Sequence, residues 1–303
     1  MGEKEMSVPI TLAVSMGAAL ATSISRKYYS QKSAGGFMPT LVFSAGSSLL
    51  AALVLVLWGG VESLSLFTVG LGLLFGLIMT GQGIAMLKAL EIGPMSYTTV
   101  IVSFSTLISA LSGVAFFGES IGVWQWVGIA LMLASFLLAV KEDSQEKSAS
   151  FRWLIFCGIT FLCTGGIGLM QKIHQTSAYK AEINAFLIVA FVSACLGSCL
   201  AGLWISKKEK TTFLEHDENG KVRWVLVAIA LFSGIVTAIN HKLNLYLSGV
   251  MDSAVFFPIV NGGGLVLTTV AAVLLFKEKL TKRQWLGVAI GILSVLCLCL
   301  PSA

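Results

Sequence analysis

Charge is scarce in this sequence. Only 12% of the 303 residues are Asp, Glu, Lys or Arg, where a soluble domain carries about a quarter. No acid sits near the middle of any long apolar run, since Glu91, Glu182 and Asp252 all fall close to run ends. Three histidines and six cysteines are present without C-x-x-C or Cys/His spacing suited to zinc. A Gly-x-x-x-x-Gly-Lys-Ser/Thr loop is missing as well, which argues against ATP-driven work by this chain alone. Membrane hydrolases and lipid transferases need a nucleophile with its base, paired carboxylates or a metal set. These shortages point away from an enzyme, a metal centre and a bound cofactor.

What is abundant is apolar surface, at 56% of residues. A soluble fold of this length cannot keep so much of it from water, so lipid is the expected solvent. Runs of about twenty apolar residues, long enough for a hydrocarbon core of ~30 Å, fall at residues 7–25, 36–58, 65–89, 94–117, 121–140, 153–175, 183–205, 224–248, 252–276 and 281–300. The first is diluted by Ser15, Thr22, Ser23 and Ser25, and is too polar for a cleaved signal peptide. The opening Met1-Gly-Glu-Lys-Glu5 also lacks the basic start of one. Polar stretches at 141–150 and 206–223 read as solvated connections, the second with a turn at Asp217-Glu-Asn-Gly220.

The chain repeats itself. Phe117-Gly-Glu119 followed by Gln125-Trp126-Val-Gly128 returns as Phe276-Lys-Glu278 followed by Gln284-Trp285-Leu-Gly287, with identical internal spacing. Residues 41–58 match 187–204, aligning Ser47 with Ser193, and Arg26-Lys27 falls near Gln171-Lys172. Gln82 lies within one position of Asn240 and His241 in the same comparison. The expected fold is an all-α polytopic membrane protein of ten transmembrane helices, built as two five-helix repeats. The boundaries are 1–140 for the first repeat, 141–152 for a polar linker and 153–303 for the second. With five crossings each, the second copy enters from the opposite side, so the repeats are expected to be inverted.

These paired hairpins, the segment Met86-Leu-Lys-Ala-Leu90 leading into Gly93-Pro-Met-Ser-Tyr97, and the five-plus-five layout resemble the drug/metabolite transporter superfamily, in its bacterial branch with tandem EamA domains. The resemblance covers residues 8–140 and 153–299. It implies a multi-pass protein of the plasma (inner) membrane that moves small molecules; members export amino acids, drugs, dyes or metabolites, or exchange sugar phosphates and nucleotide sugars. The second copy departs from the first by placing Lys277 where Gly118 stands, which questions a tight glycine turn there.

Candidate substrate-binding residues cluster in the ninth span. Phe257, Pro258, Asn261, Gly262 and Gly263 bring a proline and a triple glycine to mid-span, where the helix is expected to unwind and free backbone groups for a ligand. Close helix packing on small residues is the other reading of the same run. The fourth span adds Ser103, Ser105 and Thr106 at corresponding depth, and Thr164-Gly-Gly166 and Ser15-Met-Gly17 do so in the sixth and first. A central cavity bounded by spans 1, 4, 6 and 9 is expected, with Gln82, Asn240, His241 and Asn244 contributing from spans 3 and 8. Tyr97, Phe256 and Phe257 are aromatic candidates for its wall, against lipid-facing placement as the default.

Several other features carry a structural and a functional reading. Glu119 and Glu278 precede helices and are expected to cap them, with proton coupling as the alternative. His174 and His241 read as interfacial or hydrogen-bonded residues, or as coupling groups. The seven tryptophans lie near span ends as interfacial anchors, the cysteines read as small buried apolar residues, and the pairs Gly72/Gly76 and Gly287/Gly291 read as helix contacts, within the bundle or in a homodimer. Sixteen of the 20 basic residues lie in or beside the loops after odd-numbered spans, which places both termini outside; the resemblance implies both inside. The net charge of +5 suits contact with anionic lipid rather than nucleic acid. The combined expectation is a carrier that exports a small organic metabolite or drug by alternating access. A non-transporting sensor or assembly protein and a passive facilitator are the alternatives.

Overall fold

The computed structural model describes residues 7–33, 36–61, 63–139, 150–209, 223–277 and 280–300, and among these it contains helices and turns but no strand. The helices are α1 (Val8–Lys32), α2 (Phe37–Gly59), α3 (Leu66–Ile92), α4 (Met95–Ser103), α5 (Thr106–Phe117), α6 (Val123–Ala139), α7 (Phe151–Thr176), α8 (Ile183–Glu209), α9 (Trp224–Val250), α10 (Ser253–Pro258), α11 (Gly264–Phe276) and α12 (Lys282–Leu298). Each of the ten expected spans is helical. Eight helical stretches are long and apolar enough to cross a membrane, with α4–α5 counted through Tyr97–Phe117 and α10–α11 through Ser253–Leu275. The fifth and tenth expected spans fall short, because α6 and α12 have 17 residues each, about 25 Å at 1.5 Å per residue. The first span runs past its expected end: α1 continues through Lys32, so Arg26 and Lys27 lie on the helix rather than in a loop. Residues 141–149 of the linker, the turn at Asp217-Glu-Asn-Gly220, Glu278 and the opening Met1-Gly-Glu-Lys-Glu5 lie outside the described residues.

The chain divides into two compact units that do not coincide with the sequence halves. Unit 1 is Met1–Thr80 with His174–Leu247, and unit 2 is Gly81–Ile173 with Ser248–Ala303.

In unit 1, α2 and α8 run antiparallel. The end of α2 meets the start of α8, where a β-carbon on Gly59 would strike the Asn184 carboxamide; further along, Ser198 Oγ donates to Ser44 Oγ at 3.1 Å. The first part of α3 also lies on α8. A β-carbon on Gly72 would sit 3.0 Å from the Phe186 carbonyl oxygen, and one on Gly76 would overlap the Ala190 carbonyl at 2.2 Å. Ser193 Oγ donates to Leu73 O at 2.9 Å and Thr80 Oγ1 to Ala194 O at 3.2 Å across the same contact. Such close backbone approach is how membrane helices associate when lipid removes the hydrophobic drive. Just ahead of α8, Glu182 accepts from Ser65 N at 3.1 Å and Ser65 Oγ at 2.8 Å. Hydrogen bonds from Thr68 first, then Ser65 and Ser63, hold its carboxyl down to about 2.

In unit 2, α6 and α12 carry the two copies of the repeated Gln-Trp-x-Gly motif and pack antiparallel. Ser135 Oγ donates to Gly287 O at 2.8 Å, and Ser294 Oγ donates to Gly128 O at 2.7 Å. The two bonds are each other's image under the repeat. A β-carbon on Gly128 would lie 2.6 Å from Leu298 Cγ, and one on Gly287 3.0 Å from Leu138 Cβ. Trp126 and Trp285 are half exposed, as anchors are. Trp153 is not: it is 6% exposed, packs with Ala89 and Cys157, and donates Nε1–H to Thr98 Oγ1 at 2.8 Å. Its buried indole needs that acceptor, which overrides its position near a span end.

The repeated motif also explains the helix starts. Gly122 N donates to Gln125 Oε1 at 2.8 Å, and Thr281 with Gln284 form a reciprocal capping box. The glutamine of each copy therefore caps its helix, which in the first copy is the role expected of Glu119. Ahead of those starts, Gly118 closes α5 in the left-handed region at φ 68°, and Lys277 closes α11 there at φ 55°. The tight turn is kept in the second copy without glycine.

A left-handed backbone costs an L-residue about 1–2 kcal/mol, while glycine loses about 0.5–1 kcal/mol more chain entropy on folding. Lys277→Gly is therefore expected to raise thermal stability in detergent by up to about 1 kcal/mol, and Gly118→Ala to lower it by about as much. A drop in melting temperature for Lys277→Gly would contradict the turn assignment.

Candidate functional site

Two membrane stretches in unit 2 are interrupted, and they are two of the four in which the sequence places polar residues at corresponding depth. The ninth expected span runs as α10, a five-residue π turn at Ile259–Gly263 and then α11. Pro258 has no amide hydrogen to give to the preceding turn, and the glycines behind it accommodate a wider ring. The helix thus widens where it was expected to unwind. Single π turns inside α-helices recur at functional positions. The break between α4 and α5 at Phe104 and Ser105 has no such signature, since neither glycine nor proline is present. There Ser105 N donates to Val102 O, Leu107 N to Phe104 O and Ile108 N to Ser105 O, all at 3.0 Å, so three-residue turns replace α-helical ones.

Helices α5 and α10 run antiparallel beside these interruptions. At one end Asn261 Nδ2 donates to Thr106 Oγ1 at 3.1 Å; at the other Ser253 lies against Gly113. Asn261 is exposed, and its carboxamide oxygen has no hydrogen-bond partner among the described residues. Gly262 and Gly263 are buried, and a β-carbon on Gly262 would lie 2.4 Å from Met132 Sδ, so that glycine serves close packing.

The other expected site residues divide as follows. Phe257 and Pro258 are buried, with the Phe257 ring 4.9 Å from that of Phe256, and so belong to the core rather than to an open wall. Ser105 is buried and Ser103 half-buried. Thr164 Oγ1 is turned back onto Thr160 O at 2.7 Å; its neighbour Gly165 instead presents a carbonyl to Ser109 Oγ at 3.1 Å. Tyr97 is 64% exposed, and Gln82 is half-buried on the part of α3 in unit 2. Asn240 and His241 belong to unit 1.

Glu119 does not cap α6. Its carboxylate receives Ser253 N at 2.6 Å and Ser253 Oγ at 3.2 Å, at the first turn of α10, where it meets the positive helix end. Lys172 Nζ, on α7, stands 2.5 Å from Glu119 Oε1 and donates to Met251 O at 3.0 Å. With side chains 7% and 9% exposed, Lys172 and Glu119 form a buried ion pair that joins the α5–α6 turn, α7 and the approach to α10. Spacing alone does not give this pairing. The only hint is that the repeat brings Gln171-Lys172 near the basic pair Arg26-Lys27.

Unit 1 has its own polar group at membrane depth. Ser15 Oγ, on α1, donates to Asn244 Oδ1 at 2.6 Å and lies 3.4 Å from Asn240 Oδ1; Asn244 Nδ2 donates to Asn240 Oδ1 at 3.0 Å. His241 turns to another face, edge-on to Phe75 at 6.3 Å and Phe191 at 5.3 Å. His174 is fully buried rather than interfacial, against Phe186 at 4.5 Å and with Nδ1 3.1 Å from Gln175 Nε2.

Comparison with known proteins gives these arrangements a context. The model of the EamA-like transporter family matches residues 9–141. An uncharacterized protein of Haemophilus influenzae is 22% identical over 234 residues, covering 75% of this chain and 74% of its own. A protein of Lactiplantibacillus plantarum described as a "Putative sugar uptake protein" is 25% identical over 234 residues, covering 75% of each. A crystal structure described only as that of a protein shares the fold, with TM-score 0.72 at 11% identity over 97% of this chain and 96% of that one.

Removing one member of a buried ion pair leaves an uncompensated charge, at about 3–5 kcal/mol. Glu119→Gln and Lys172→Met are each expected to lower stability by an amount of that order, and the double variant by clearly less than their sum. Thermal unfolding of the four proteins in detergent gives the coupling; strict additivity would mean that the pair is not formed in the membrane protein.

Proposed function

We propose that this chain, whose residues 9–141 match the model of the EamA-like transporter family, is a secondary carrier that moves a small organic metabolite or drug across the plasma membrane by alternating access. The observation that carries this reading is the pair of interrupted helices, α4–α5 and α10–α11, joined by the bond between Asn261 and Thr106. Irregular backbone at membrane depth is tolerated only where protein, water or a ligand satisfies it. An exposed carboxamide with a free acceptor is costly against lipid, and Asn261 therefore addresses a polar interior.

The repeat supports the transport mechanism. Repeat-related helices lie antiparallel in both units, α2 with α8 and α6 with α12, as inverted repeats require, and inverted repeats are how many carriers present one site to two sides. Ten crossings follow if α6 and α12 span by tilting less than their neighbours and letting flanking tryptophans anchor their ends. Direction is not a property of such a device. The family resemblance suggests export, the description of the Lactiplantibacillus plantarum protein names uptake, and an alternating carrier runs whichever way its gradients drive it.

Purified protein screened by thermal shift against amino acids, nucleosides, sugars and cationic drugs is expected to respond to one chemical class, by an amount equivalent to about 2.7 kcal/mol at a hundredfold excess over the dissociation constant. Asn261→Ala is expected to reduce that response while leaving the unliganded protein folded. The responding solute should then show saturable counterflow in proteoliposomes. Flux that never saturates would make the protein a passive facilitator.

A further inference from the structure

We propose that Arg26, with the side-chain amides of Asn240 and Asn244, forms a site in unit 1 for the carboxylate of a small monoanionic organic acid. The inference rests on the carrier reading and adds the substrate class to it.

Helical spacing sorts the residues of α1 onto two sides. Ile10, Val14 and Tyr28 share one side and are exposed, as residues in contact with lipid are. Thr11, Ser15, Ala18 and Tyr29 share the other and are buried, and Ser15 reaches α9 from there through its bond to Asn244 Oδ1 at 2.6 Å. Arg26 follows Ser15 by eleven residues, close to three whole turns, so it stands on the buried side. It is exposed all the same, which sets it at an opening within the protein rather than against lipid. The hydroxyls around it are satisfied close to home: Thr22 Oγ1 donates to Ala18 O at 3.0 Å and the Tyr29 hydroxyl to Pro39 O at 3.0 Å. The Arg26 guanidinium has neither a hydrogen bond nor an ion pair among the described residues. A lone cation on a membrane-spanning helix is costly and is kept where an anion comes to meet it.

Across from Arg26, α9 offers donors. Side chains on a helix lean toward its N-terminus, so Arg26 reaches back from its own level toward that of Ser15, and thereby toward Asn240 and Asn244. Ser15 donates to Asn244 Oδ1, and Asn244 Nδ2 donates to Asn240 Oδ1 at 3.0 Å. Both N–H groups of Asn240 and the second of Asn244 have no partner among the described residues, and both asparagines are half-buried. His241, beside Asn240, is within Coulombic reach of Arg26. Lys242 is turned away from the asparagines, with Nζ over the Trp58 ring at 4.2 Å. Glu182 is held by Ser65 ahead of α8 and does not neutralise Arg26.

The solute that suits such a place is an oxyanion. A guanidinium fork takes a carboxylate through two parallel hydrogen bonds, and the spare amide N–H groups can take further oxygens of the same molecule. An ammonium would meet like charge, and a neutral solute would leave Arg26 uncompensated. Charge balance separates the two common oxyanions, because a phosphate monoester carries about −1.5 to −2 at neutral pH, more than one guanidinium offsets.

The test measures stabilisation of the full chain in detergent by L-lactate, pyruvate and D-glycerate, against lactamide, glycerol 3-phosphate and ethidium, in the wild type, Arg26→Gln and Arg26→Lys. Lactamide keeps the shape of lactate without its charge. At least one of the three acids is expected to stabilise the wild type while lactamide and ethidium do not. Arg26→Gln is expected to weaken that acid tenfold or more, and Arg26→Lys, which keeps the charge and loses the fork, by less. Without ligand, Arg26→Gln is expected to unfold no earlier than the wild type, which an arginine holding the fold together would not allow. Asn240→Asp places a carboxylate beside the guanidinium and is expected to lose the acid equally, should Arg26→Gln not give monodisperse protein. An acid that binds these variants like the wild type overturns the site. A stronger response to glycerol 3-phosphate overturns the monocarboxylate class in favour of a phosphate, free or in a lipid headgroup. A response to another solute of the wider panel, with none to the acids, overturns this inference and leaves the carrier reading standing, whereas silence from every solute overturns both.

Discussion

Backbone carbonyls of one helix receive hydroxyls from another throughout this protein, and the rest of the architecture depends on the close approach this requires. Ser135 and Ser294 reach Gly287 and Gly128, Ser109 reaches Gly165, and Ser193 and Thr80 reach across the contact of α3 with α8. In lipid, apolar side chains gain little by touching one another, so helices are held by packing and by such bonds. The bonds form only if the axes lie near enough, and glycine makes that possible. Overlap of an added β-carbon with the Ala190 carbonyl at Gly76, or with Leu298 at Gly128, states the same constraint from the other side.

Charge is handled by the complementary rule. With no acid at mid-span, the buried charges are brought together at a helix end, where Glu119 finds Lys172, a free backbone amide and a serine hydroxyl. A carboxylate so fully engaged is suited to holding segments in place, and this favours the structural reading of Glu119 over a proton-carrying one. The polar groups within the helices include hydroxyls and carboxamides, and on α9 the imidazole of His241 and the ammonium of Lys242 stand between Asn240 and Asn244.

Much of the helical layout was legible because it is written in long apolar runs and in a motif repeated at fixed spacing. The ten runs are helical where expected, and the Gly72/Gly76 and Gly287/Gly291 pairs do mark helix contacts. Local signals failed where a tertiary partner decided the outcome. Trp153 reads as an anchor until Thr98 offers its indole an acceptor, and Glu119 reads as the cap of α6 until α10 arrives with an unsatisfied amide. Lys277 shows the limit of a residue preference, since the geometry of the turn persists after its glycine is gone. The break at Ser105 could not be read at all: serine and threonine bond the backbone in intact and in broken helices alike. Of the site, Asn261 stood out beside a proline and three glycines, whereas the pairing of Ser15 with two asparagines 225 and 229 positions away has no local signature.

The two interrupted helices differ in a way that bears on specificity. Both interruptions fall at one register of the repeat, but the first is made by Phe104 and Ser105 with hydroxyls on either side, and the second by Pro258, Asn261 and glycines. The approximate place of the break is common to the repeats, while its backbone shape, tightened at Phe104 and Ser105 and widened at Ile259–Gly263, and its side-chain chemistry have diverged. Alternation between two facings asks for breaks at similar depth in the two repeats. Recognition of one solute asks for the opposite, since an asymmetric molecule cannot offer the same groups to two symmetric walls. A carrier built by inverted repetition is therefore expected to hold its symmetry in glycine contacts, such as Gly128 against Leu298 and Gly287 against Leu138, and to spend its differences on the residues that meet the substrate.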